Sequence, residues 1–238
     1  MLYGYVPKSS PLRNAKEKNF VFPFVFCTLI RNFADMIDYQ AVIDYFYGTE
    51  DTELRRILMA HSRAVADKAL RICDRHPELG MDREFVEAAA MLHDIGIIQC
   101  DAPGIHCHGT RPYIQHGIAG VEMLRLSPPS FPTREGQGGE SALLERLARV
   151  CSHHTGAGIT RAEVVAQGLP LPLPDDDSEP YLPETLEEKV ICYADKFFSK
   201  TRPSEEKTFE QAERSLMKFG EAGVARFREW HRLFESPK

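Results

Sequence analysis

The chain contains no Cys-x-x-Cys pair, and its six cysteines, Cys27, Cys73, Cys100, Cys107, Cys151 and Cys192, fall at irregular intervals. That pattern excludes a disulfide framework and points to reduced thiols in a cytoplasmic protein. No dense cluster of Lys and Arg is present either, and the net charge is −6. General nucleic-acid binding is therefore not expected. Long apolar runs are missing too. Phe20 to Ile30 is apolar, but it contains Pro23 and is too short to cross a bilayer, so no membrane association is expected. Strand-rich stretches and internal repeats are absent. The tripeptide His106-Cys107-His108 lacks the rest of a zinc-ligand pattern.

What remains is a chain of 238 residues, 43% apolar, which suits one domain with extensions. Basic residues Lys8, Arg13, Lys16 and Lys18 precede the apolar run, but no small-residue cleavage site follows it. Residues 1–35 are read as an N-terminal extension upstream of a start at Met36. The main domain is expected over 36–201, with C-terminal helices over 202–238 packed on it.

From Met36 onward the pattern is helix after helix. Glu53 to Arg75 carries Leu54, Ile57, Leu58, Val65 and Ala69 at helical spacing, with His61 on the same stripe. Pro77 and Gly80 close that segment. Residues 82–95 form the next helix, an alanine-rich run ending at His93-Asp94, with Gly96 as stop signal. Gln99 to Tyr113 is a loop. A helix over about 114–126 follows despite two glycines, then a Pro/Gly-rich insertion from Ser127 to Gly139. Ser141 is the expected N-cap of a helix reaching His154. On its wheel His154 falls in the apolar stripe and His153 to one side. Gly156 to Pro183 is irregular, and Asp175-Asp176-Asp177 there is a solvated run without an EF-hand pattern. Glu184 to Lys200 is helical, with Asp195 at the edge of its apolar face. The tail, about 205–235, is one or two amphipathic helices bearing Phe209, Leu216, Phe219, Phe227, Trp230 and Phe234. These pack on the core or on a second subunit, so a homodimer is one expected assembly.

The chemistry-bearing residues lie on separate helices: His61, His93, Asp94, His116, His154 and Asp195. Taken singly, a histidine on an apolar helix face is usually a hydrogen-bonded core residue. As a set, imidazole and carboxylate suit first-row metals such as iron, manganese, cobalt or zinc. One ion needs about four such groups, so six point to two ions with Asp94 between them.

His61, then His93-Asp94 in the phrase AAAMLHDIG, then Asp195 in VICYADKF, resembles the HD-domain superfamily of metal-dependent phosphohydrolases over roughly residues 53–201. His116 in QHGIAGVEML and His154 in HHTGAG fit its two-metal branch. The phrase LEEKVICYADK is similar to bacterial hydrolases that split diadenosine tetraphosphate symmetrically. The resemblance implies an all-α fold, a helical bundle with a central metal site. One departure is plain: several two-metal relatives place a lysine shortly after the His-Asp pair, whereas here Ile95-Gly96-Ile97-Ile98 follows.

The implied function is hydrolysis of a phosphoester or phosphoanhydride in a small, nucleotide-like substrate by metal-activated water. His61, His93, Asp94 and Asp195 are expected to hold one metal, and Asp94, His116 and His154 the other. Asp94 and Lys196 are the expected catalytic residues, and His106, His108 and Arg111 the expected substrate contacts. The rival reading is an HD-type di-iron oxygenase of a small polar substrate, since the same ligand set serves both chemistries.

Overall fold

The computed structural model describes residues 38–126 and 139–236, with side chains from 142 in the second segment. The extension over 1–35 and most of the Ser127–Gly139 insertion lie outside the described residues. The architecture is all-α, with nine helices and one small two-stranded sheet among the described residues.

Helix α2, Glu53–Arg75, runs through the middle of the bundle. Thr52 caps it by accepting a hydrogen bond from the Arg55 amide at 3.3 Å. Its inner face buries Leu58, His61, Val65, Ala69 and Ile72, a stripe with helical spacing. Helices α3, Arg83–Leu92, and α7, Leu186–Asp195, pack against it. Before it comes α1, Tyr39–Tyr47, whose Tyr47 hydroxyl donates to the Ile95 carbonyl at 2.8 Å.

Helix α3 stops at Leu92, short of the expected end at Asp94. Asp94 has φ −103° and ψ 12°, and a 3-10 turn over Ile95–Gln99 takes over. The amide of Ile97 bonds to the Asp94 carbonyl at 3.0 Å and tightens the turn. This break is why adjacent residues, about 100° apart on a continuous helix, turn their side chains toward one point.

The next segment forms a short antiparallel pair, β1 (Asp101–Ala102) with β2 (Cys107–His108). Helix α4, His116–Arg125, then packs on α5, Gly139–His153, and on the 3-10 turn. The glycines of this region are what allow it. A Cβ on Gly96 would stand 2.2 Å from the His116 carbonyl and 2.3 Å from the Gly120 amide. A Cβ on Gly117 would stand 2.3 Å from the Cys151 carbonyl. Backbone meets backbone at both places, so neither side can yield. Gly96→Ala is expected to destabilise the fold by about 3 kcal/mol, the upper end for overpacking. Urea unfolding checks it, and an unchanged midpoint would mean that the two backbones part at no cost.

Three expectations are corrected here. Helix α5 begins at Gly139, so Ser141 lies inside it and is not its cap. The stretch after Gly156 is not wholly irregular: α6, Arg161–Gln167, forms behind a Thr160–Glu163 capping box. Helix α7 ends at Asp195, not near Lys200. Successive bonds from Lys196, Phe197 and Phe198 to carbonyls three residues back wind the chain out of α-geometry.

Helices α8, Phe209–Leu216, and α9, Glu221–Glu235, complete the bundle. Leu216, Phe227, Trp230 and Phe234 join the core cluster that contains Val65 and Tyr193. Each large apolar side chain so buried contributes roughly 1.5–3 kcal/mol. No helix among the described residues is long and apolar enough to cross a membrane.

Candidate metal centre

Five helix ends and faces converge on one buried point. His61 comes from the middle of α2, His93 and Asp94 from the break after α3, and His116 from the first residue of α4. His154 follows α5 and Asp195 closes α7. His61, His93, Asp94, His116 and His154 are each at most 5% exposed, and Asp195 is 9% exposed.

The contacts divide into two groups. His61 Nε2 lies 3.1 Å from Asp94 Oδ2 and 2.9 Å from Asp195 Oδ1. His93 Nε2 lies 3.1 Å from Asp94 Oδ2 and 3.6 Å from Asp195 Oδ1. On the other side, Asp94 Oδ1 faces His116 Nε2 at 3.5 Å and His154 Nε2 at 3.4 Å. Within each group one ligand atom per residue lies inside 4.8 Å of the others. Asp94 belongs to both, one carboxylate oxygen to each.

Backbone carbonyls set the tautomers. His93 Nδ1 donates to the Ala90 carbonyl and His116 Nδ1 to the Tyr113 carbonyl, both at 2.7 Å. His154 Nδ1 donates to the Cys151 carbonyl at 2.8 Å. With the proton on Nδ1, each ring turns a bare Nε2 lone pair toward the cluster, the arrangement that supports metal-binding histidines. His116 Nε2 and His154 Nε2 then face each other 2.9 Å apart, two acceptors with no donor between them. His93 Nε2 and both ring nitrogens of His61 are buried without a hydrogen-bond partner. Such a set is costly unless a cation receives the lone pairs. The residues present therefore fit divalent ions, and the donor chemistry suits the first row.

The charge states of Asp94, His116 and His154 agree, whereas His93, protonated without a cation beside it, would give up its Nε2 proton to an arriving metal ion. Burial would raise the Asp94 carboxyl, but Lys200 and the neighbouring imidazoles hold it well below its ordinary range. Burial pushes His116 down to about 3, keeping the ring neutral, and pushes His154 down as well. Burial also opposes charge on His93, but the carboxylates of Asp94 and Asp195 outweigh it and raise the ring to about 9.

The pocket beside the cluster has a volume of about 420 Å³ and is lined by His116, His154 and Asp195 together with Lys196, Lys200, Lys207 and Lys218. Lys196 Nζ donates to the His154 carbonyl at 2.9 Å and pairs with Asp195 Oδ2 at 2.6 Å. Lys200 Nζ pairs with Asp94 Oδ2 at 2.6 Å. Nothing in the sequence pattern pointed to Lys200. A helix continued to that residue would have turned it about 140° from Asp195, and the early end of α7 brings it back to the site. It places an ammonium beside Asp94 although no lysine follows His93-Asp94 in the sequence.

Three expected substrate contacts are not brought to the pocket. Arg111 is paired with Glu122, its Nη1 at 3.1 Å. His106 occupies the left-handed tip of the β1–β2 connection with φ 58°, and His108 is exposed on β2. The loop is adjacent to the His-Asp helix in sequence and buries Ile105 and Cys107 in the core, while His106 and His108 are exposed.

His153 turns to a different partner. Its Nδ1 donates to Glu188 Oε2 at 2.9 Å, and Arg149 Nε holds the other oxygen at 2.9 Å. Burial would raise Glu188, but His153, the Glu184 amide and Arg149 pull it from 4.5 down to about 2. A depressed carboxyl stabilises the fold above its unfolded value and loses that contribution as pH falls through the folded one. The stability difference between the parent and Glu188→Gln is thus expected to be flat above pH 5. It should shrink between about pH 4.5 and 2, by a few kcal/mol in total. Urea titrations across that window decide it, and a difference that persists at the acid end would remove Glu188 from the account.

A family model described as HD domain matches residues 58–199. Relatives include a tRNA (cytidine(56)-2'-O)-methyltransferase of Picrophilus torridus, 34% identical over 61% of this chain and 33% of that protein. A tRNA (cytidine(56)-2'-O)-methyltransferase of Thermoplasma volcanium is 32% identical over 68% of this chain and 37% of its own. An uncharacterized protein of Methanocaldococcus jannaschii is 33% identical over 61% of this chain and 68% of its own. The chain thus spans only about a third of the methyltransferases it matches. No solved structure matches significantly.

Proposed function

The chain belongs to the HD-domain family, and on that premise we propose that it is a metal-dependent phosphohydrolase acting on a small, nucleotide-like phosphoester or phosphoanhydride. The observation that carries this reading is the pairing of the buried His/Asp cluster with a pocket lined by four lysines. In a chain of net charge −6, so local a concentration of cations suits an anionic substrate.

His61, His93, Asp94 and Asp195 would hold one divalent ion, and Asp94, His116 and His154 a second, iron and manganese being the leading candidates. When bound, such a pair activates water and withdraws charge from a phosphoryl group. The protein side chains do the rest. Tyr113, the Ala90 carbonyl and the Cys151 carbonyl hold the rings in register. Lys196 and Lys200 stand at the pocket floor, where a phosphoryl oxygen would gain charge during displacement. The lysine lining favours an anionic substrate over a neutral one, and oxygen uptake separates hydrolysis from oxygenation of such a substrate.

The test is phosphate or nucleotide release from a panel of mononucleotides and dinucleoside polyphosphates by protein loaded anaerobically with ferrous iron or manganese. Release that disappears in Asp94→Ala supports the reading. Stoichiometric metal without release from any compound would overturn it, and oxygen uptake would then be measured.

A further inference from the structure

The four pocket lysines are not equivalent. Lys196 and Lys200 are each matched by a carboxylate 2.6 Å away, Asp195 and Asp94. Lys207 and Lys218 have no ion-pair partner within 4.0 Å among the described residues, although other lysines do, such as Lys68 with Glu206 at 2.8 Å. Lys207 follows the turn after α7, and Lys218 lies in the 3-10 turn between α8 and α9. Both line the pocket.

Lys207 is also anchored. Its Nζ donates to the Lys196 carbonyl at 3.2 Å, which holds the ammonium over the pocket. Lys218 Nζ stands 4.9 Å from the centre of the Phe219 ring, another pocket-lining group. Partial burial disfavours the Lys207 charge, and Lys196, Lys218 and Lys200 oppose it further, with Asp195 the only compensating group. Two unpaired ammonium groups beside two that already use the site's carboxylates are relieved by an anion. A single phosphate engaged with the His/Asp cluster leaves much of the 420 Å³ unfilled.

We propose that Lys207 and Lys218 form a second anion subsite, so that the substrate carries two phosphate groups, one over the His/Asp cluster and one between these lysines. The inference rests on the phosphohydrolase reading for the first group, while the second subsite stands on its own residues.

Calorimetry on the full, manganese-loaded chain tests it with hydrolysis-inert probes: methylphosphonate and a series of alkane-α,ω-bisphosphonates of increasing length. The best bisphosphonate is expected to bind about tenfold tighter than methylphosphonate, a modest gain for a second charged contact. The Lys207→Gln/Lys218→Gln double variant should lose that preference and bind methylphosphonate as the parent does. The Lys207→Arg/Lys218→Arg variant should keep it. Absence of any preference in the parent, its survival in the glutamine variant, or its equal loss in both variants would overturn the subsite. Methylphosphonate binding that is unchanged in Asp94→Ala would instead overturn the metal-site reading and leave the lysine comparison decisive.

Discussion

Asp94→Ala is expected to strip divalent metal from both halves of the site and to abolish hydrolysis. Asp94 is the one residue common to the two ligand groups, and it is fully buried. Substituting an outer-shell partner of a metal site already costs about 10–100-fold in affinity or activity. Loss of a shared first contact should exceed that upper figure. Metal per chain is read by elemental analysis after dialysis, and turnover with the substrate found by panel screening. The variant also leaves Lys200 and His93 without their carboxylate, and breaking a buried pair destabilises by about 3–5 kcal/mol. Asp94→Asn, which keeps the volume, separates unfolding from loss of ligation. If both folded variants retain the parent's metal, the ligand assignment is wrong.

Lys200→Met is expected to split two properties that usually fall together. The ammonium contacts the Asp94 oxygen that also faces His61 and His93. A cation there competes with a metal for the same lone pairs. Removing it should raise metal affinity by about tenfold, equivalent to roughly 1.4 kcal/mol. Turnover at saturating metal should nevertheless fall, by about 10²–10³, as it does when a transition-state charge loses a positioned donor. Lys200→Arg should restore part of the turnover. Metal titration and saturating-metal kinetics read the two quantities separately. A variant that binds metal no better than the parent, or that turns over as fast, would reduce Lys200 to a structural ion pair.

Much of the fold was legible because the helices advertise their inner faces. The α2 stripe and the α3 alanine run could be read directly, and the resemblance of AAAMLHDIG and VICYADKF joined distant segments before any geometry was known. Burial of Asp195 was not legible. Periodicity left it at the edge of its face, and its burial comes from the packing of α7 against α2, which sets Asp195 Oδ1 2.9 Å from His61 Nε2. The early end of α7 hid Lys200. Thr160-Arg161-Ala162-Glu163 carried a readable capping signal for α6, masked by the prolines and acids that follow. His106, His108 and Arg111 lie near His93-Asp94 along the chain. The β1–β2 pair turns Cys107 into the core and leaves His106 and His108 exposed, and Glu122 takes Arg111, so nearness in sequence did not bring these three to the pocket.

The glycine contacts bear on how the centre would respond to change. Gly96 and Gly117 bring main chain directly against main chain between the His-Asp turn, α4 and α5. The separation of the two ligand groups is accordingly set largely by the backbone, which meets itself directly at these two glycines. Exchanging one ligand for another alters grip without altering gauge. A protein tuned to ions of different radius or spacing would have to change at these glycines, where sequence comparison would otherwise look only for flexibility.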